Sequence, residues 1–426
     1  MNLSLKGLAL TALTTALLGT AQAAVRLPEV NCQTNSGNAR CAFSASNTGK
    51  TGTGLPFDLG GFVAIGSGFV DTGANVAYVP VEFGGQQDNQ GVIFRVDLAT
   101  GNRTVVSGYD GEEWHGQGVE YVSDRGQKGV AYDLGRVEVV RPGPGGSLLA
   151  LVDKGLQSRT EILRVDPRTG DRTLVWASKV FGDAAPSGPT AIRDIEAQRF
   201  HHSSATLCKG ADGRVGLKPA ETFETDGQNV YLFFVNNPGG TGTGLVKVPV
   251  TGGGCTWVSQ YGADGQSSVG SGPTINTLSP LVFGSGMLGK EFVAATGPNP
   301  GGNTLFGIDT GSGARRTISS LNRGAAARSK GSGDPLGYLG RLAVGHAGIA
   351  TIRAESRDDA PDIILVDPQT GNRTTAQPRS GSLRNGRDPN VNVVAAIPGT
   401  SQYIVAFGKA LHVLDVKTGN SYLLSQ

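Results

Sequence analysis

One pattern recurs along the chain and constrains its fold more than any other. The string IFRVDLATGNRTVVSG, starting at Ile93, is followed by ILRVDPRTGDRTLVWAS from Ile162, GLVKVPVTGGGCTWVS from Gly244, LFGIDTGSGARRTISS from Leu305, IILVDPQTGNRTTAQP from Ile363 and LHVLDVKTGNSYLLSQ from Leu411. Each reads as two short runs of aliphatic, β-branched and aromatic residues around a cluster of turn formers, which predicts a tight β-hairpin. The turn-opening Asp can accept from backbone N–H groups just downstream, and the Gly four residues on can take the positive φ that closes such loops. The openings fall at Asp97, Asp166, Pro249, Asp309, Asp367 and Asp415, with steps of 48 to 83 residues. A fixed unit with loop insertions produces such spacing, and repeats of roughly 40 to 50 residues rich in strands are the mark of propeller blades.

Upstream of each hairpin sit two more strand candidates. GRVEVVRPG, SLLALVD, EILRVDP and RTLVWAS make a four-stranded meander, and NVNVVAAIPG, QYIVAFG, ALHVLDV and NSYLLSQ repeat it at the C-terminus. The expected fold is all-β: a six-bladed β-propeller of four-stranded antiparallel blades, with seven blades allowed if the segment before Gly61 adds strands. The chain has 426 residues, beyond the size at which one core stops growing, but repeat folds escape that limit because each unit packs only on its neighbours. Its 66 glycines and low aromatic content suit short strands and turns better than long helices.

The N-terminus carries Lys6, an apolar run from Gly7 to about Leu18, and Ala21-Gln22-Ala23, the pattern of a secretory signal cut after Ala23. Residues 1–23 are therefore read as a signal peptide, 24–60 as an N-terminal segment and 61–426 as a single propeller domain, exported to the periplasm, cell surface or medium. No later segment has the apolar length to span a bilayer. The formal charge of +2 gives no electrostatic case for nucleic acid. Four cysteines remain after cleavage, and in an exported chain an even count favours disulfides. Three pairings are open; proximity favours Cys32 with Cys41, leaving Cys208 with Cys255.

The SLLALVD and EILRVDPRTGDRT pattern resembles the bacterial six-bladed propellers of the NHL, SMP-30 and gluconolactonase-like group, over residues 61 onward. That resemblance implies the fold, and it implies two kinds of function: binding or scaffold proteins, and calcium-dependent lactonases with a metal at the channel mouth. The lactonase branch uses an E-G-P-x-W motif; the nearest string here, GEEWHGQGVEY from Gly111, lacks the Gly-Pro. Ca2+ is the cofactor that branch implies, and no catalytic residue is carried over.

Two insertions hold most of the chemistry. The link after the first blade contains Glu112, Glu113, His115 and Glu120, carboxylate and imidazole groups that suit a divalent cation or acid–base work. The link after the second contains Asp194, Glu196, Arg199 and His201, and Arg387 and Asp388 precede the sixth blade's inner strand. Arg136, Glu138, Glu221, Arg341, His346, Asn390 and Asn392 are candidate channel-lining groups, because alternation sends every second residue of an inner strand toward the axis. P-loop, H-E-x-x-H, G-x-S-x-G and EF-hand patterns are absent from the sequence. The expected function is an exported propeller that binds a small molecule, a polysaccharide or an envelope protein, with a calcium-dependent lactonase-like hydrolase as the alternative.

Overall fold

The computed structural model describes residues 25–426 apart from 28–29, 36–37, 44–51, 58–61, 85–89, 124–127, 133, 154–159, 178–180, 183–199, 202–217, 236–242, 253, 262–266, 274–281, 297–303, 321–329, 335, 337, 355–361, 377–379 and 382–390. Residues 1–23, Cys208, Asp194, Glu196, Arg199, Arg387, Asp388 and Asn390 lie outside the described residues.

Six antiparallel sheets follow one another along the chain, each a meander that starts at an inner strand. Blade 1 has an inner edge in two pieces, Phe62–Ile65 and Phe69–Asp71, then Val76–Gly84, Gln90–Asp97 and Arg103–Tyr109. Blade 2 is Arg136–Pro142, Leu148–Asp153, Thr160–Val165 and Arg172–Ala177. Blade 3 is Lys218–Thr225, Asn229–Val235, Thr243–Pro249 and Thr256–Tyr261. Blade 4 is Val282–Leu288, Glu291–Thr296, Thr304–Asp309 and Arg315–Ser320. Blade 5 is Tyr338–Gly345, Gly348–Ala354, Asp362–Val366 and Arg373–Thr375. Blade 6 is Val391–Ala396, Gln402–Phe407, Ala410–Asp415 and Asn420–Ser425. The count is six, and among the described residues the segment before blade 1 adds no seventh: its strands Val30–Asn35 and Asn38–Phe43 pair only with each other.

Local chemistry explains each hairpin. Asp97 Oδ1 accepts from the N–H groups of Ala99 and Thr100, and Asp309, Asp367 and Asp415 accept in the same way two and three residues on. The anion satisfies turn N–H groups that have no strand partner. Alternation then gives the strands two buried faces, and each face packs on the next blade. Six apolar cores result, one per seam, as in the core shared by blades 6 and 1, which joins Val79, Val81 and Phe94 to Ile404, Leu411 and Leu424. That core closes the ring without a strand swap, because blade 6 takes all four strands from the C-terminal end. Phe57 is fully buried within it, so part of the segment before residue 61 helps to seal the closure.

A second device ties the outer halves of the blades. The arginine after the turn is Arg103, Arg172, Arg315 or Arg373, each buried, and each donates to backbone carbonyls of the link leading into its own blade. The link approaches so closely that only glycine fits. A Cβ on Gly52 would lie 2.0 Å from the Gly101 carbonyl oxygen, and both glycines have positive φ. Blades 3 and 6 depart from the pattern: Cys255 and Ser421 occupy the arginine position. Cys255 is disulfide-bonded.

The insertions are structured in part. Val119–Ser123 and Lys128–Ala131 from the first pair with Phe200–His201 and Phe181–Gly182 from the second, giving a small four-stranded sheet beside the ring.

Candidate functional site

Antiparallel meanders put the tight turns, such as 98–102 and 226–228, at one end of the ring and the long links at the other. The pairing of the inner strand is interrupted in blades 2 to 6, with register shifts at Val137/Val139, Pro219/Phe223, Val282/Gly284, Leu339/Leu342 and Val393/Ala395. A bulged residue leaves the ladder and its side chain is re-aimed. Glu138 and Arg341 are such residues. The Glu138 carboxylate is engaged by both Arg136 and Arg341, and Arg136 Nε also lies 2.8 Å from Glu82 Oε2. Arg341 adds a 2.6 Å bond to the Glu138 carbonyl oxygen. Blades 2 and 5 are opposite in a six-membered ring, so this pair spans the axis.

Nearer the tight-turn end, Arg141 meets Glu224 through two bonds of 2.9 and 2.6 Å and also reaches Ser67 and Gly68 of blade 1. Ser285 of blade 4 donates to Glu224 at 3.1 Å. Two layers of charge-assisted bonds thus join inner strands around the axis. Glu82 is pushed above the ordinary carboxylate range by burial, against the pull of Arg136. Of the expected lining residues, Arg136, Glu138 and Arg341 are in this network, and Asn392 bonds the Ile65 carbonyl across the closure seam. His346 is exposed on a tight turn. Glu82, Arg141 and Glu224 escaped the sequence reading because each is one charge among many on strands otherwise apolar.

The polar link after blade 1 is elsewhere. Trp114–His115 adds a fifth strand outside Arg103–Tyr109, with Gly108 opposite His115 and Tyr109 opposite Trp114. The hairpin is therefore on the outer rim of blade 1 and not at the channel mouth. At its tip Asp110 Oδ1 accepts from the N–H groups of Glu112 and Glu113, both at 2.8 Å, and Asp110 Oδ2 lies 2.7 Å from His115 Nε2. Glu113 Oε1 is 3.9 Å from the same nitrogen. Asp110, Glu113 and His115 thus present three ligand atoms within 4.8 Å of one another. Burial alone would raise the Asp110 carboxyl, but bonds from the Glu113 N–H, His115 and the Glu112 N–H hold it below its ordinary value. Tyr109, Trp114 and Tyr132 form an aromatic row beside this tip, with ring centroids 5.0 and 6.3 Å apart.

Of the residues singled out in sequence, Glu113 and His115 are brought together. Glu112 contributes its backbone and keeps its side chain exposed, and Glu120 is exposed on the side sheet. His201 pairs through its backbone with Val122 on that same sheet. Asp110 was missed; its signal was the Asp-Gly pair that starts the turn.

No protein-family model matches the chain, and no curated protein matches it. Among solved structures, a nidogen/laminin complex is similar at 10% identity, covering 73% of this chain and 79% of that chain with a TM-score of 0.39. The calcium-binding protein regucalcin from Agrobacterium tumefaciens is similar at 12% identity, covering 83% and 85%, with a TM-score of 0.37. The β-propeller domain of the Trilobed protease from Pyrococcus furiosus is similar at 11% identity, covering 86% and 98%, with a TM-score of 0.38. By its own strand order and ring closure, the chain is a six-bladed β-propeller.

Proposed function

We propose that the chain is an exported binding module of the cell envelope or periplasm, whose ring is scaffold and whose ligand site is the blade-1 rim hairpin. The observation that carries this reading is the convergence of Asp110, Glu113 and His115 on an exposed tip. The donor set is one imidazole and two carboxylates, which suits a first-row transition dication such as Zn2+ better than Ca2+, a cation that takes oxygen ligands. Trp114 and its aromatic neighbours would give an envelope component, a polysaccharide or a protein, a surface to pack on. The lactonase-like alternative needs available carboxylates at the axis, whereas Glu82, Glu138 and Glu224 are each engaged by an arginine.

Titration of the purified mature protein with Zn2+ is expected to show one equivalent bound, with Asp110→Asn and His115→Ala each weakening it at least tenfold. Ca2+ is expected to bind more weakly, and acidification to reduce affinity because ligands must shed protons. Zn2+ binding left intact in both variants would refute the site.

Export is supported by the N-terminal pattern and by a disulfide at Cys255. We assign its partner as Cys208 and pair Cys32 with Cys41. Cys255 stands where other blades carry the arginine that grips the link into its own blade, and Cys208 lies in the link into blade 3. Cys32 is directly opposite Cys41 in the N-terminal hairpin. Non-reducing peptide mapping should recover these two cross-links, and a Cys255 peptide joined to Cys32 or Cys41 would overturn the assignment.

A further inference from the structure

Three donors are one short of a closed Zn2+ site. Zn2+ held for structure alone takes four tetrahedral ligands, whereas three protein ligands leave a position for solvent or an incoming group. Among the described residues the rim hairpin offers three: Asp110, Glu113 and His115. Donors about 2.0 to 2.2 Å from a tetrahedral Zn2+ stand roughly 3.3 to 3.6 Å from one another. His115 Nε2 lies 2.7 Å from Asp110 Oδ2 and 3.9 Å from Glu113 Oε1, values that bracket that spacing. Small side-chain rotations therefore suffice to bring the three donors to one face of the tetrahedron.

Exposure orients the set. The Asp110 side chain is 11% exposed, His115 28% and Glu113 75%, so the donors climb from a buried floor to an open lip. The floor is fixed, because Asp110 is held by the N–H groups of Glu112 and Glu113. The fourth position of a bound dication is thus on the solvent side, within reach of a second molecule. Tyr109, Trp114 and Tyr132 are each half-buried beside the tip. Aromatic side chains of this kind are enriched at protein interfaces and carry much of their binding energy.

Charge selects the incoming group. From Thr104 to Asp124 the sequence carries Asp110, Glu112, Glu113, Glu120 and Asp124 and no Lys or Arg. Asp110 and Glu113 alone balance a dication, and the exposed Glu112 adds a further negative charge to the tip. An arriving carboxylate or phosphate meets repulsion there, whereas a neutral imidazole meets none. Imidazole also suits a transition dication, while hydroxyl oxygens of a sugar are the hard donors that suit Mg2+ or Ca2+. Resting on the metal reading above, we infer that the rim hairpin docks a protein partner that presents a histidine, whose imidazole takes the fourth position on the bound ion.

The test uses the full mature protein with Co2+ in place of Zn2+, because its visible absorption reports coordination, and imidazole in place of the partner's side chain. Adding imidazole to the Co2+ form is expected to change the band saturably, with one imidazole per ion, and acetate is expected to bind at least tenfold more weakly. A spectrum indifferent to a large excess of imidazole would show that the chain supplies its own fourth ligand; it would overturn this inference and leave the metal site standing. Acetate binding as tightly as imidazole would overturn the choice of histidine. Failure of Co2+ to bind at all would remove the site and the inference together. Sedimentation supplies the last arm: the Co2+ form is expected to keep the mass of the metal-free form. A Co2+-dependent doubling would put a second copy, with its exposed His346, in the partner's place and overturn the assignment to a different protein.

Discussion

Arg103→Ala is expected to lower the free energy of unfolding by about 3 to 5 kcal/mol. The wild-type guanidinium donates to the carbonyls of Leu55 and Gly54 and to Ser425 Oγ, and it sits over the Phe57 ring at 5.3 Å. Removing it deprives the buried Ser425 hydroxyl and the part-buried carbonyls of Leu55 and Gly54 of their donor, at roughly 1 to 3 kcal/mol for a group kept from water, and deletes the packing on Phe57. The same burial that makes the loss severe pulls the Arg103 pKa down. Urea unfolding followed by tryptophan fluorescence measures the change. Arg168→Ala is the control: that arginine is 86% exposed on a hairpin turn, its ion pair among the described residues is with Asp166, and its removal should leave the unfolding midpoint unchanged. Equal midpoints for the two variants would remove the inter-blade role assigned to Arg103.

Glu138→Gln is expected to cost about 3 to 5 kcal/mol, because it leaves Arg136 and Arg341 in the channel without their shared counter-charge. The Glu138 side chain is 2% exposed, so salt will not substitute for the lost partner. Adding Arg341→Met should recover more than half of the loss, since an apolar replacement removes the uncompensated charge. A double-mutant cycle from the same unfolding curves gives the coupling, and additive effects would show that the two side chains do not depend on one another.

The hairpins and the six blades were legible in sequence because their determinants are local. The turn Asp, the Gly four residues on and the alternating strands all act within sixteen residues of one another. Long-range pairings were not legible. The repeated arginine could be seen, but the serine hydroxyl it donates to belongs to the preceding blade, 56 residues away for Ser259 and 322 for Ser425. Glu138 and Arg341 were both expected to line the axis, yet their contact crosses 203 residues and exists only once the ring has closed. At the rim, Glu113 and His115 were recognised as ligand-type residues while Asp110 was hidden by its turn function. Their place on the outer edge was not legible, because a two-residue strand such as Trp114–His115 has no alternation to reveal that it folds back there.

The bond between Glu138 and Arg341 also bears on how the repeat number is inherited. A row of units that interact only with their neighbours can gain or lose one by recombination and still propagate its contacts. A chord across the ring removes that freedom: with a unit added or deleted, blades 2 and 5 are no longer diametric and Glu138 and Arg341 lose one another as partners. The chord thus acts as a counter, making this ring tolerant of longer links but intolerant of any number other than six.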